Sequence, residues 1–351
     1  MIKVLIVDDS ALIRQLMTHI LSEDPQIEVV GVAHDPFDAR EKIKKLHPDV
    51  LTLDVEMPKM DGVTFLRNLM RLRPMPVVMV STLTESGADV TLEALELGAV
   101  DYISKPKVNV QEEMKIYAAE IKRKVKMAAR AKVRGLNAVV PKKVLDSVTM
   151  PPKVTATTFK TTDMIIAIGA STGGTEALKD VLCQLPATCP GIVITQHIPE
   201  AFSLPFSQRL DKNSAMKVYH AKDGQQILPG HVYLAPGNRH LEVVRDGARF
   251  ICKLLDTDRV NRHKPSVEVM FNSVAKNVGK NAMAVMLTGM GDDGSDAMGV
   301  MRAAGAKTIA QDEATSVVWG MPGEAVKRGH VDFIEPLHNI AAKILEIVSK
   351  R

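Results

Sequence analysis

The chain has few cysteines, no apolar run long enough to cross a membrane and little net charge. Cys183, Cys189 and Cys252, its only three cysteines, fall at irregular spacing, so a reduced, cytoplasmic setting is expected. The ten histidines show neither close i, i+4 pairing nor the cysteine partners of a zinc site. The opening MIKVLIVDDS turns acidic after a short apolar stretch, and no later run approaches the ~20 residues that a membrane span requires. Secretion and membrane insertion are therefore not expected. A formal charge of +4 is small for 351 residues, and much of the basic excess sits in IKRKVKMAARAKVR, from Ile121 to Arg134. No aromatic side chain interleaves these charges, as it would on a nucleic-acid stacking platform, so the run is read as a solvated helix face entering a linker. No nucleic-acid partner is expected.

What the sequence does have is a repeated alternation of β-type runs with segments of helical period. The length suits two domains, each able to bury its own core. Runs at Lys3–Val7, Glu28–Val32, Val50–Leu53, Val77–Val80 and Val100–Ile103 alternate with helical patterns such as Ala11–Leu21 and Ala39–Leu46, which predicts five β/α units around a parallel sheet. A charged, Ala-rich helical pattern follows from Asn109 to about Arg134. From Asn137 to Thr162 periodicity is lost while Pro141, Pro151, Pro152 and many Thr and Lys accumulate, the composition of a linker. The domains are accordingly set at 1–129 and 163–351, with 130–162 joining them. In the second domain strands are predicted at Ile165–Ile168, Ile192–Thr195, Ala284–Leu287 and Thr308–Ala310, with helices from about Thr175 and over Ala201–Leu210. LEVVRDGARFICKLL reads as a hairpin turning at Asp246–Gly247. The fold class is α/β in both domains, the second doubly wound with an added hairpin.

Ligand-binding and catalytic groups of open parallel sheets gather at the carboxyl ends of strands. In the first domain Asp8 and Asp9 follow the first strand, Asp54 ends the third, Ser81 the fourth, and Lys105 follows the fifth in S-K-P. Three clustered carboxylates repel one another unless a hard cation such as Mg²⁺ bridges them. This set resembles the response-regulator receiver domain over residues 1 to about 129. The resemblance implies a flavodoxin-like five-stranded sheet and Asp54 as phosphoacceptor. Asp8, Asp9 and Asp54 would be metal ligands together with the backbone carbonyl of Glu56, and Ser81 and Lys105 the switch residues.

The second domain opens on MIIAIGASTGG, where an apolar strand breaks into G-A-S-T-G, a spacing that sets Ser171 on a sharp strand-to-helix turn as a nucleophile would be. A dinucleotide fingerprint fails here, because G-x-G-x-x-G needs glycine where Ser171 stands. His197 follows a strand in T-Q-H-I-P, and V-M-L-T-G-M-G-D-D-G carries Asp292 and Asp293 on a Gly-rich turn. Serine, histidine and acid thus end three strands, in an order unlike that of α/β-hydrolases.

GASTGG, TQHIP, APGNRH, NRHKPSV and LTGMGDDG together resemble the catalytic domain of the chemotaxis protein-glutamate methylesterases, the CheB family, over about Asp163 to the C-terminus. The resemblance implies Ser171 as nucleophile, His197 as general base and Asp293 as triad acid. Glutamate γ-methyl esters of chemoreceptors and glutamine side-chain amides would be substrates, and a chemotaxis histidine kinase the phosphodonor. No cofactor is implied for hydrolysis, and the unphosphorylated receiver would cover the catalytic cleft. The loop type offers the backbone N–H groups of Thr172, Gly173 and Met290 as oxyanion donors. Arg239, His240, Arg262, His263 and Lys264 lie on two loops that either attract an acidic receptor helix or merely fold the sheet edge. An inert relic serving as a receiver-gated binding module is the alternative function. A DNA-binding output is excluded, because this half alternates strands and helices where a compact helix-turn-helix would be needed.

Overall fold

The computed structural model describes residues 1–58, 60–82, 85–105, 111–133 and 163–350. The chain divides into two compact units, Met1–Ala138 and Val139–Arg351. Most of the linker expected at 130–162 lies outside the described residues.

The first unit runs β1 (Ile2–Val7), α1 (Ala11–Ser22), β2 (Ile27–Ala33), α2 (Pro36–Leu46), β3 (Val50–Asp54), α3 (Gly62–Leu72), β4 (Val77–Ser81), α4 (Glu85–Glu96), β5 (Asp101–Ser104) and α5 (Gln111–Ala128). All strands pair in parallel in the order β2-β1-β3-β4-β5. Every residue of β3 and β4 is buried, as expected of strands covered on both faces. Side-chain caps define the first three helix starts: Ser10 accepts from Ile13 N, Asp35 from Phe37 N and Asp38 N with Pro36 as first helical residue, and Asp61 from Thr64 N. Because β1 lies between β2 and β3, connections leave it in opposite directions, and a crevice opens at the carboxyl ends of β1 and β3.

The basic run of α5 is less solvated than its sequence implied. Lys122 pairs with Glu23 at 2.7 Å, Lys126 with Asp24 at 2.7 Å and Lys124 with Asp101 at 3.1 Å. Three charges of the run that read as a solvated helix face are thus matched by carboxylates of their own unit.

The second unit runs β6 (Ile165–Ala170), α6 (Gly174–Leu182), β7 (Gly191–Gln196), α7 (Glu200–Asn213), β8 (Lys217–His220), β9 (His231–Leu234), β10 (His240–Asp246), β11 (Arg249–Leu255), α8 (Val267–Asn277), β12 (Ala282–Met286), α9 (Ser295–Ala303), β13 (Lys307–Gln311), α10 (Met321–Lys327), β14 (Phe333–Glu335) and α11 (Leu337–Ser349). Its seven-stranded sheet is parallel throughout, in the order β14-β13-β12-β6-β7-β9-β8. Met270, Phe271 and Val274 of α8 join Ala167, Val193, Ala284, Leu241 and Val243 in one buried cluster, which ties the β10–β11 hairpin to the sheet. The hairpin turns one residue later than the sequence suggested. Asp246 pairs with Arg249, so the loop is Gly247–Ala248, with positive φ (59°) at Gly247 only, the pattern of a II′ turn. The sheet's central strand β6 lies between β7 and β12, so the chain crosses over beside it, and the loops after β6, β7 and β12 share one crevice.

Candidate functional site

In the first unit the carboxyl ends of β1, β3 and β5 bring Asp8, Asp9, Asp54 and Lys105 together. One carboxylate oxygen from each of the three aspartates falls within 4.8 Å of the others. Lys105 Nζ donates to Asp54 Oδ2 at 2.8 Å and lies 3.5 Å from Asp8. Burial raises the Asp54 carboxyl to about 6, since the Asp8 charge adds to desolvation and Lys105 offsets only part of it. Burial likewise raises Asp8. Asp8 Oδ2 is buried with no hydrogen-bond partner among the described residues, Lys105 Nζ standing 3.5 Å from it. A buried carboxylate oxygen facing two further acids and one lysine is a donor set that fits a hard divalent cation. Glu56 N donates to Asp54 Oδ1 at 3.3 Å, which sets the Glu56 backbone beside the cluster while its side chain is exposed. Ser81 ends β4 buried, and its carbonyl accepts from Lys105 N at 2.8 Å.

In the second unit Ser171, His197 and Asp293 form a hydrogen-bonded chain. Ser171 Oγ lies 3.1 Å from His197 Nδ1, and His197 Nε2 lies 2.8 Å from Asp293 Oδ2. An ionised carboxylate only accepts, so the ring proton belongs on Nε2 and Nδ1 is left to accept from the serine hydroxyl. Ser171 is fixed by the turn between β6 and α6. Its N–H donates to Thr288 O at 3.0 Å, and its carbonyl accepts from Gly174 N at 2.7 Å and Gln196 Nε2 at 2.8 Å. Gly173, in the left-handed region at φ 74°, ends this turn and leads into α6. On the facing loop, a Cβ at Gly289 would come within 2.9 Å of Ser171 Cβ. Only glycine lets that loop press against the serine. Thr172 is buried beside Ser171, and Met290 follows Gly289 on the same loop.

Asp293 is 1 % exposed and receives donors from several sides: Ser266 Oγ (2.7 Å), Val267 N (2.7 Å) and Asn261 Nδ2 (2.9 Å), besides His197. Burial pushes its carboxyl up, but these hydrogen bonds and the His197 charge outweigh burial and hold it at about 2. Its neighbour Asp292 takes no part. Asp292 is exposed and pairs with Arg328 at 3.1 Å. Geometry therefore separates two adjacent aspartates that the sequence left side by side.

Asn261 belongs to a tight turn. Val260 and His263 exchange both backbone hydrogen bonds, 3.1 and 2.9 Å, around Asn261 (φ 50°) and Arg262 (φ 70°), the conformation of a I′ turn. His263 stacks on His197, with ring centroids 3.7 Å apart and planes 4° from parallel. Of the other basic residues that the sequence put on loops, Arg239 and Lys264 pair with Asp256 at 3.0 and 2.6 Å, and His240 instead opens β10, buried, with Nε2 2.9 Å from Asp258 O. Sequence reasoning missed the support given by Asn261, Ser266, Gln196 and Gly289. Asn261 alone had a local signal, as a turn-forming residue between two apolar-to-polar breaks.

A receiver-type acid cluster in one unit and a hydrogen-bonded Ser–His–Asp chain in the other define a response regulator with a serine-hydrolase constellation in its output unit. Comparison with known proteins gives the same answer. The CheB methylesterase family model matches residues 166–344 and the response regulator receiver domain model residues 4–113. A protein-glutamate methylesterase/protein-glutamine glutaminase 1 of Xanthomonas campestris pv. campestris is 58% identical over 347 residues, covering 99% of this chain and 97% of that protein. The protein-glutamate methylesterase/protein-glutamine glutaminase of Hydrogenovibrio crunogenus is 55% identical over 373 residues, with 99% of each chain covered. The crystal structure of the Thermotoga maritima CheB methylesterase catalytic domain is similar at 34% identity and a TM-score of 0.52, covering 52% of this chain and 98% of that one. The chain belongs to the CheB methylesterase family. No helix among the described residues is long and apolar enough to cross a membrane.

Proposed function

We propose that this chain is a phosphorylation-regulated protein-glutamate methylesterase and protein-glutamine glutaminase acting on chemoreceptors in the cytoplasm. Residues 1–129 form its receiver, 163–351 its catalyst, and 130–162 the joining segment. The observation that carries the reading is the continuous hydrogen-bonded chain from Ser171 through His197 to the buried Asp293. Ser171 Oγ attacks the γ-ester carbonyl while His197 Nδ1 takes its proton, and Asp293 holds the opposite nitrogen protonated and stabilises the imidazolium. The C–O bond to methoxide then breaks as His197 returns the proton, releasing methanol and leaving an acyl-serine. Water attacks that ester with His197 again as base, which frees the glutamate carboxyl and restores Ser171. With a glutamine side chain the proton goes to departing ammonia instead. Ser171 N donates to Thr288 O and is not counted as an oxyanion donor; the loop type offers the backbone N–H groups of Thr172, Gly173 and Met290 for that role.

In the receiver, Asp54 accepts a phosphoryl group from a chemotaxis histidine kinase. Asp8, Asp9, Asp54 and the Glu56 carbonyl would hold Mg²⁺, which would supply positive charge to offset that of the phosphoryl group. Lys105 and Ser81 serve as the switch residues, Lys105 through its ion pair with Asp54. Methanol release from methylated receptor membranes, measured for the parent chain and for Ser171→Ala, tests the esterase assignment. Equal release from both would remove it.

A further inference from the structure

Arg262 occupies a position that backbone energetics reserve for glycine. It is the third residue of the Val260–His263 turn, at φ 70°, where a Cβ is disfavoured and glycine is not. The residues on either side are fixed against the triad, Asn261 by its hydrogen bond to Asp293 and His263 by its stack on His197. Arg262 is therefore held at the rim of the site by two contacts that its own side chain does not make. Of the five basic residues that the sequence put on loops here, two are paired with Asp256, one is buried and one stacks on His197. Arg262 is the exposed one, with no carboxylate partner among the described residues.

We propose that Arg262 is a specificity-determining residue that binds a carboxylate of the polypeptide substrate close to the ester being cleaved. This rests on the esterase reading of the same site and adds the substrate's charge pattern to it. The ester itself is neutral, so selection of one glutamyl ester among many must come from contacts beside it. A guanidinium carried on a backbone that is held next to the triad provides one, with a planar fork that matches a carboxylate. The contact is partly solvated, so it acts through binding more than through chemistry and weakens with salt.

The test uses the full chain and two synthetic helical peptides, each with one glutamate γ-methyl ester, flanked by glutamates in one and by glutamines in the other. Methanol release gives kcat and KM for each. The parent chain is expected to favour the acidic peptide, and Arg262→Gln to lower that preference about fivefold, the size of one exposed ion pair, through KM. Arg262→Gly, which also relieves the backbone, should lose the preference while the folded protein is at least as stable. Arg262→Lys should keep part of it. Arg259→Gln removes the same charge from an exposed arginine three residues away and should leave the preference intact. The proposal is overturned if Arg262→Gln keeps the parent's preference, if it lowers kcat equally on both peptides, or if Arg259→Gln has the same effect. Hydrolysis of a small neutral ester by the parent and Ser171→Ala separates the two readings. Ser171-dependent turnover of that ester without any preference between peptides overturns the role of Arg262 alone. A parent chain inert towards every ester overturns the esterase reading on which it rests.

Discussion

Asp54 and Asp293 are equally hidden, each 1 % exposed at the carboxyl end of a parallel sheet, yet their environments drive them in opposite directions. Asp54 is raised to about 6 and Asp293 is lowered to about 2. Burial acts alike on both, so the difference lies in what faces the carboxylate. Around Asp54 stand Asp8, Asp9, one lysine and the backbone N–H of Glu56; Asp293 accepts from three side chains and from the backbone N–H groups of Val267 and Glu268. The first site is left short of positive charge and suits an incoming cation and phosphoryl group. The second is complete in itself and suits a carboxylate that must stay ionised beside a histidine through every turnover.

The contrast is broken most severely by removing Asp293's main partner. His197→Gln and Ser171→Ala should each lower methanol release by several orders of magnitude with the circular dichroism of the folded protein unchanged. Asp293→Asn comes next. The amide cannot hold the Nε2–H tautomer, so a loss of about 10³- to 10⁴-fold is expected, against less than about threefold for Asp292→Asn, whose partner is Arg328. The reverse ranking would show that the roles of the two acids are exchanged.

Smaller effects sharpen the comparison. Ser266→Ala and Asn261→Ala each take one donor from the same ionised carboxylate, which should cost about tenfold in kcat/KM and raise the Asp293 pKa. Because the folded Asp293 lies below its ordinary value of 3.8, its ionised form stabilises the fold above about pH 4, and that contribution is lost as pH falls towards about 2. Denaturant midpoints followed from pH 6 to pH 2 should therefore fall less steeply in Asp293→Asn. For Asp54 the sign is opposite. Its folded value lies above its ordinary value, so stability of the receiver declines as pH rises from about 4 through about 6. In metal-free buffer at pH 8, Asp54→Asn should raise the receiver's Tm by several degrees, a gain absent at pH 4 and reduced by Mg²⁺. The same substitution should abolish any response of hydrolysis to a phosphodonor while Ser171-dependent turnover persists.

The two sites were legible in the sequence for the same reason, that buried parallel strands are apolar runs whose ends mark where chemistry sits. Asp54, Ser81, Ser171 and His197 each end such a run or directly follow one. What remained hidden depends on long separations or short elements. Strands β8, β9 and β14 are only three or four residues long and alternate too little to register. Ser266 and Asn261 reach Asp293 across 27 and 32 residues, and Arg328 reaches Asp292 across 36, contacts that no local pattern encodes. The hairpin turn was misplaced by one residue because Asp-Gly favours a I′ loop, whereas the Asp246–Arg249 pair lengthens the ladder and moves Gly247 to the first loop position.

The ring orientation of His197 carries a spectroscopic signature. A proton held between this imidazole and Asp293 sits on Nε2, the nitrogen flanked by both carbon-bound ring hydrogens, and not on Nδ1, which has only one such neighbour. In a nitrogen-correlated proton spectrum the strongly deshielded resonance of that bond should connect, through its own nitrogen, to both Hδ2 and Hε1. A connection to Hε1 alone would mean that the ring is flipped in solution, with the serine and the aspartate trading nitrogens.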